Sequence, residues 1–340
     1  MRTSRVTARG LATADVNETA VRRALVTGAG GFAGQWLCRD LARHGWHVTG
    51  STLDGEPGND ILAPEDHAMV TWRTEDLRDP SARRDALDTA RPDAIFHLAG
   101  MSFVPAAGTD PMRAFDVNTG VAVALLADVR TRRAAGTLDP VMLMVGSAEQ
   151  YGRHDFASMP MGEEVDCRPR TLYAATKMAQ EIFALEAFRS DGVRVICTRS
   201  FNHSGRGQAR SFLIPALVDR ALAVRSGGLD TLPIGNTETM RDFLHVEDVV
   251  RAYMLLAEQG LPGQVYNVCS GLGVTVGDLV FEVLEAAHVS APLIVDSALR
   301  REVDVPFLVG RNDRLRADTG WAPQRTRADI ISDLINAASH

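Results

Sequence analysis

Apolar residues fall in two alternating patterns through the first half of the chain and a little beyond: short unbroken runs, and longer stretches in which they recur every three or four positions. Ala24-Leu25-Val26 reads as a first strand. Gly34 to His44 carries Trp36, Leu37 and Leu41 at helical spacing, and Gly45 closes it as a C-terminal cap before a strand around His47 to Thr52. Asp93 to Leu98 and Val141 to Val145 read as buried strands on either side of a helix from about Pro111 to Arg130. A helix around Tyr173 to Arg189 leads into the strand Val193 to Cys197. Strands alternating with helices predict an α/β fold, a doubly wound parallel sheet covered by helices on both faces. Beyond residue 202 the regularity weakens, and helices such as Phe212 to Ser226 and Thr275 to Ala286 are separated by Gly- and Pro-bearing segments. The expected organisation is a flexible leader over 1–21, a sheet-bearing domain over 22–202 to which 244–268 returns, and a smaller C-terminal α/β lobe from 203–243 and 269–335.

Composition narrows the class without changing that picture. The 340 residues are 45% hydrophobic and 23% charged, enough to bury one large domain with a smaller companion. A formal net charge of -7 offers no basic field for a phosphate backbone, which argues against nucleic acid as a partner. Cys38, Cys167, Cys197 and Cys269 are far apart, with no CxxC pair and no histidine at zinc-ligand spacing, so neither a disulfide framework nor a metal site is expected. The leader holds Arg2, Arg5 and Arg9 without the apolar core of a signal peptide, and no later run approaches membrane-spanning length. A cytoplasmic protein without a membrane contact is the expectation.

The first candidate site is Thr27-Gly28-Ala29-Gly30-Gly31-Phe32-Ala33-Gly34, which follows the first strand directly and opens the first helix. Gly28 suits the sharp turn, Gly31 the close approach of backbone to a pyrophosphate, and Gly34 tight packing of helix on strand, while the helix N-terminus attracts the anion. In isolation such glycines make a turn with no ligand; between strand and helix at the head of an alternating series they point to a Rossmann-like dinucleotide site. The residue reading the adenosine ribose should stand at the end of the second strand, where a carboxylate suits NAD and an arginine suits NADP. Asp54 fits the first role, or is an acidic turn residue, so NAD and NADP both stay open. Asp76, in Glu75-Asp76-Leu77, is placed either to bond the adenine edge or to sit in an ordinary solvated loop.

Tyr173-Ala174-Ala175-Thr176-Lys177 sets a phenol and an ammonium at i and i+4, on one helix face. A hydride reaches or leaves a carbonyl only if a proton moves too, and a tyrosine with its ordinary pKa of about 10 is a poor proton partner at neutral pH. A lysine charge beside Tyr173 is therefore expected to lower the phenol's pKa. Upstream, Gly146-Ser147-Ala148-Glu149-Gln150-Tyr151-Gly152 follows the strand ending at Val145, at the sheet edge where such folds bind ligands. Ser147 can there bond the substrate oxygen beside Tyr173, or serve as a capping hydroxyl.

With these residues the chain resembles the extended short-chain dehydrogenases/reductases, which modify nucleotide-activated sugars. The resemblance covers about 22 to 335 and rests on the glycine loop, His97-Leu98-Ala99-Gly100, Asn118, Ser147 with Tyr173 and Lys177, Ser200-Phe201-Asn202-His203, Met240-Arg241-Asp242-Phe243, Tyr266-Asn267-Val268 and Arg301-Glu302-Val303-Asp304-Val305-Pro306. It implies a catalytic set of Ser147, Glu149, Tyr173 and Lys177. Cofactor contacts are implied for Gly28, Gly31, Phe32, Ala33, Gly34, Asp54, Asp76, Leu77, Leu98, Ala99, Tyr173 and Lys177. Asn202 is implied to contact the nucleotide-sugar, with Arg241 and Arg301 on its diphosphate, and Asn118 supports the active-site helix. Phe201 to Gln208 most resembles the GDP-4-keto-6-deoxy-D-mannose reductases, which would make GDP-rhamnose. The alternatives are a 4,6-dehydratase, in which Glu149 would be the base, and a 4-epimerase. Relatives usually carry arginine where Leu53 stands. Members commonly dimerise through a four-helix bundle, to which Val121, Leu125 and Val129 could contribute, unless that stripe is buried on the protein's own sheet.

Overall fold

The computed structural model describes residues 21–58, 61–101, 104–299 and 305–338. Apart from Val21 the expected leader lies outside them, as does Arg301. Seven parallel strands form the main sheet: β1 (Arg23–Thr27), β2 (His47–Thr52), β3 (Val70–Thr74), β4 (Ala94–His97), β5 (Val141–Ser147), β6 (Val195–Ser200) and an edge strand, Val265–Val268. Their order is edge strand, β6, β5, β4, β1, β2, β3. From β1 the chain therefore winds outward through β2 and β3, then crosses back and winds the other way through β4, β5 and β6. The reversal opens a crevice at the carboxyl ends of β1 and β4, the place where open α/β sheets take ligands.

Successive side chains of each strand feed opposite cores, as a sheet covered on both faces requires. Ala24 and Val26 of β1 enter one cluster with Leu37 and Leu41 of helix Phe32–Arg43 and Val249, Val250 and Tyr253 of helix Val246–Gln259. Leu25 enters the other, with Leu87, Leu125, Leu126, Ala184 and Ala187 of helices Pro80–Ala90, Val121–Ala134 and Leu172–Asp191. Leu37 and Leu41 are fully buried, each contributing roughly 2 kcal/mol by burial. This is a Rossmann-like doubly wound α/β fold. A third cluster joins helices Leu213–Arg225, Val276–Ala286 and Arg327–Ala338 beneath strand Met240–His245. That strand pairs with Asn202–Ser204, Gly273–Thr275 and Phe307–Leu308, while Leu232–Ile234 pairs with Leu293–Val295. Among the described residues no helix is long and apolar enough to cross a membrane.

Two expectations change, and a third point, left open, is decided. The helix expected over Pro111 to Arg130 is broken: a short helix Pro111–Phe115 passes through a π turn, Asp116–Gly120, into Val121–Ala134. The last main-sheet strand before the lobe runs to Ser200, because Thr198, Arg199 and Ser200 are polar yet buried and hide it from a hydrophobicity pattern. Val121, Leu125 and Val129 pack against the protein's own sheet, at most 5% exposed, so that stripe is core and not a subunit contact.

Candidate active site

The glycine loop is shaped as a cradle that a side chain would fill. Gly28 has φ +70°, and a Cβ there would lie 2.7 Å from Ala99 N. A Cβ on Gly34 would come within 2.3 Å of Gly28 O, so the loop closes on the helix start only with glycine at both places. Gly31 caps helix Phe32–Arg43 with no side-chain hydrogen bond, which leaves the first-turn N–H groups around Phe32, Ala33 and Gly34 for an anionic ligand. This donor set at the switch point fits a dinucleotide pyrophosphate. Leu98 N donates to Thr27 O at 3.1 Å and Ala99 N to Thr27 Oγ1 at 3.3 Å, tying the end of β4 to the cradle. Phe32 stacks on His203 with centroids 6.1 Å apart.

Around the adenosine end, Leu53 and Asp54 are exposed just beyond β2. Both oxygens of Asp76 already accept from Arg78, the shortest contact being 2.6 Å, and this guanidinium holds the Asp76 carboxyl below its usual range. Leu77 beside it is buried in the core.

Ser147 ends β5 and caps a single 3₁₀ turn, Ala148–Tyr151, its Oγ accepting from Glu149 N at 3.2 Å. Tyr173 and Lys177 stand on helix Leu172–Asp191, whose N-cap Thr171 accepts from Ala174 N. The helix crosses β5 so that the Tyr173 phenol lies beside the Ser147 hydroxyl, close enough for the two to interact. Burial pushes the phenol up to about 12, opposed by the Ser147 hydroxyl and helped by the charge of Glu149. The expectation that Lys177 lowers it is not met. Lys177 is itself buried, which lowers it to about 8, and its Nζ is turned to Val145 O at 2.9 Å and Gln180 Oε1 at 3.1 Å. Glu149 lies half-buried beside this pair.

The π turn sets the floor. It aims buried Asn118 so that Oδ1 accepts from Met101 N at 2.7 Å while Nδ2 donates to Thr176 Oγ1 at 3.0 Å. Thr176 lies between Tyr173 and Lys177, so Asn118 ties the loop after β4 to the helix bearing both. Gly100 completes the contact, since a Cβ there would lie 2.9 Å from Asn118 Oδ1 and 3.3 Å from Lys177 Nζ.

Across the crevice, Asn202 and Arg241 stand on paired strands, Asn202 opposite Phe243. Arg241 is buried and donates to Met240 O at 2.9 Å. The neighbouring Asp242 accepts from Ser270 N and Oγ, Gly271 N and Gly310 N. Those four donors keep a buried carboxyl that desolvation still raises to about 6. Sequence reading missed Thr27, Thr176, Gln150, Glu181 and Arg199, all of which hold site residues in place. Their signal was polarity at positions that periodicity assigns to the interior. Among the described residues, no group of three His, Cys, Asp or Glu side chains could hold a metal ion.

A crevice with a dinucleotide cradle, a Ser–Tyr pair and a buried lysine on one helix defines an enzyme of the extended short-chain dehydrogenase/reductase type. The chain belongs to the GDP-mannose 4,6 dehydratase family, whose model matches residues 25–334. It is 35% identical over 93% of its length, and 96% of the relative's, to GDP-6-deoxy-D-mannose reductase of Pseudomonas aeruginosa. It is 30% identical over 92% of both chains to dTDP-glucose 4,6-dehydratase of Streptomyces griseus. Among solved structures, RMD from Pseudomonas aeruginosa complexed with NADPH superposes with a TM-score of 0.77 at 30% identity, covering 93% of this chain and 98% of that one.

Proposed function

We propose that the protein is an NAD(P)H-dependent reductase of the C4 keto group of a nucleotide-activated 4-keto-6-deoxy sugar, converting GDP-4-keto-6-deoxymannose to GDP-rhamnose. The observation that carries this reading is the buried Tyr173 phenol set beside Ser147 at the carboxyl end of β5, one helix turn from Lys177. A phenol is a poor base at neutral pH and a ready donor to an alkoxide. Gly28, Gly31, Phe32, Ala33 and Gly34 would hold the cofactor pyrophosphate, with Leu98 and Ala99 beside it; Asp54, Asp76 and the backbone of Leu77 would line the adenosine end. When bound, the reduced nicotinamide supplies the hydride. Ser147 then polarises the sugar carbonyl oxygen and Tyr173 Oη delivers the proton to it, so that carbon gains hydride and oxygen gains the proton. Lys177, anchored on Val145 O, fixes the helix register and keeps positive charge near the developing phenolate below its own pKa. Asn202 and Arg241 would hold the nucleotide-sugar, Arg241 on the diphosphate with Arg301. The 35% identical reductase supports the same direction.

One observation favours a second reading. Glu149 stands close enough to Tyr173 for its charge to act on the phenol, and a carboxylate there could remove the C5 proton in a 4,6-dehydratase. Tyr173→Phe tests the common core: turnover should fall at least 1,000-fold while the cofactor still binds, and a variant keeping most of its rate would overturn the assignment of Tyr173.

We further propose a cytoplasmic homodimer, in keeping with four free cysteines. The subunit contact would use the outer faces of helices Val121–Ala134 and Leu172–Asp191, where Ala127, Ala175, Ile182 and Phe183 are exposed.

A further inference from the structure

Ser147 sits at the end of a strand where side chains hold Val145 and Ser147 on either side of a tightly packed Gly146. Val145 O accepts from Lys177 Nζ and, at 3.2 Å, from Gln180 Nε2. Gly146 has no room for a side chain, since a Cβ would lie 2.4 Å from Thr198 O and 2.5 Å from Gln150 Oε1. Ser147 N donates to Gln150 Oε1 at 2.8 Å. With the Ser147 side chain accepting from the turn, this is the reciprocal arrangement of a capping box, which by itself is ordinary helix-end chemistry.

What lies behind Gln150 is not ordinary. Its Nε2 donates to Glu181 Oε2 at 2.8 Å, and Glu181 is locked by Arg199, Nε to Oε2 at 3.0 Å and Nη2 to Oε1 at 2.7 Å. Gln150, Glu181 and Arg199 are 0%, 4% and 6% exposed, so a full ion pair has been taken out of water beneath a neutral amide. Such a pair is costly to desolvate and is weak evidence for stability by itself. Its consequence here is directional. A carboxylate can only accept, so it compels the amide NH₂ to face Glu181 and the amide oxygen to face Ser147 N. The flip open to an ordinary capping glutamine is closed.

Pinning Ser147 N fixes the backbone that carries Oγ. With one lone pair of that Oγ taken by Glu149 N, its single proton is left on the side of Tyr173, where the oxygen of the carbonyl being reduced would lie. We propose that Gln150, oriented by the Glu181–Arg199 pair, is the positioning residue that aims the Ser147 hydroxyl for the reaction. This rests on the role of Ser147 in the proposed function.

The test is a double-mutant cycle on the full-length enzyme with its cofactor and nucleotide-sugar, using Gln150→Met, which keeps length and loses both hydrogen bonds. Gln150→Met alone should lower kcat 10- to 100-fold while the KM for the nucleotide-sugar and the Kd for the cofactor stay within about twofold. In a Ser147→Ala background the same substitution should change kcat less than twofold, because there is no hydroxyl left to aim. A loss of equal size in both backgrounds, or no loss in kcat, overturns the proposal. If Ser147→Ala itself leaves kcat unchanged, the reading of Ser147 fails instead. Should Gln150→Met not fold, Gln150→Leu likewise removes both hydrogen bonds with an apolar side chain, and the same cycle decides.

Discussion

Lys177→Met separates what this residue contributes to catalysis from what it costs the fold. Burial lowers the ammonium from 10.5 to about 8, and each tenfold shift in proton affinity is worth about 1.4 kcal/mol, so keeping Lys177 charged in the folded protein costs roughly 3 kcal/mol. The unfolded chain holds this proton more tightly than the folded one between pH 8 and 10.5. The cost is therefore present in full below about pH 8 and fades as pH rises to 10.5, with wild-type stability climbing through that window. Methionine removes the charge and the hydrogen bonds to Val145 O and Gln180 Oε1. Val145 O keeps its bond from Gln180, so the loss centres on one amide oxygen, worth roughly 1–3 kcal/mol. At pH 7 the cofactor-free variant should match or exceed wild type in urea unfolding, by up to about 2 kcal/mol. That advantage should shrink by pH 10. Turnover should meanwhile fall by roughly 10²- to 10⁴-fold. A variant several kcal/mol less stable than wild type, by the same margin at both pH values, would refute the reasoning.

Gly34→Ala places a methyl group 2.3 Å from Gly28 O, and should cost roughly 1–3 kcal/mol and abolish detectable cofactor binding; thermal melts with and without cofactor check both. Leu53→Arg supplies a guanidinium at the exposed end of β2 and should improve NADPH affinity relative to NADH by about tenfold, read from titrations of the cofactor-free protein. Phe183→Glu, in the proposed subunit contact, should shift the protein to monomer by sedimentation while leaving its unfolding midpoint in dilute solution little changed.

Much of this fold is legible in the sequence because β1, β4 and β5 are largely apolar runs between turn residues. The catalytic helix is legible because Tyr173 and Lys177 lie one turn apart on a single element. What escapes depends on partners distant in sequence or on burial. Gln150 and Glu181 are 31 positions apart and Glu181 and Arg199 are 18, so no local pattern joins them. Helix Pro80–Ala90 carries few apolar residues and buries Arg83 through a bond to Asp128. Val121, Leu125 and Val129 form a good apolar stripe, yet periodicity does not say which body covers it. The direction of the Tyr173 shift was missed because a lysine four residues away is visible in a sequence, whereas full burial of both groups is not.

Net reduction of the sugar is tested most directly by the nicotinamide absorbance. With purified protein, GDP-4-keto-6-deoxymannose and NADPH or NADH, one nicotinamide should be oxidised for each GDP-rhamnose formed. Conversion of a nucleotide-sugar at constant reduced-cofactor level would contradict the account and mark the protein as a dehydratase or an epimerase.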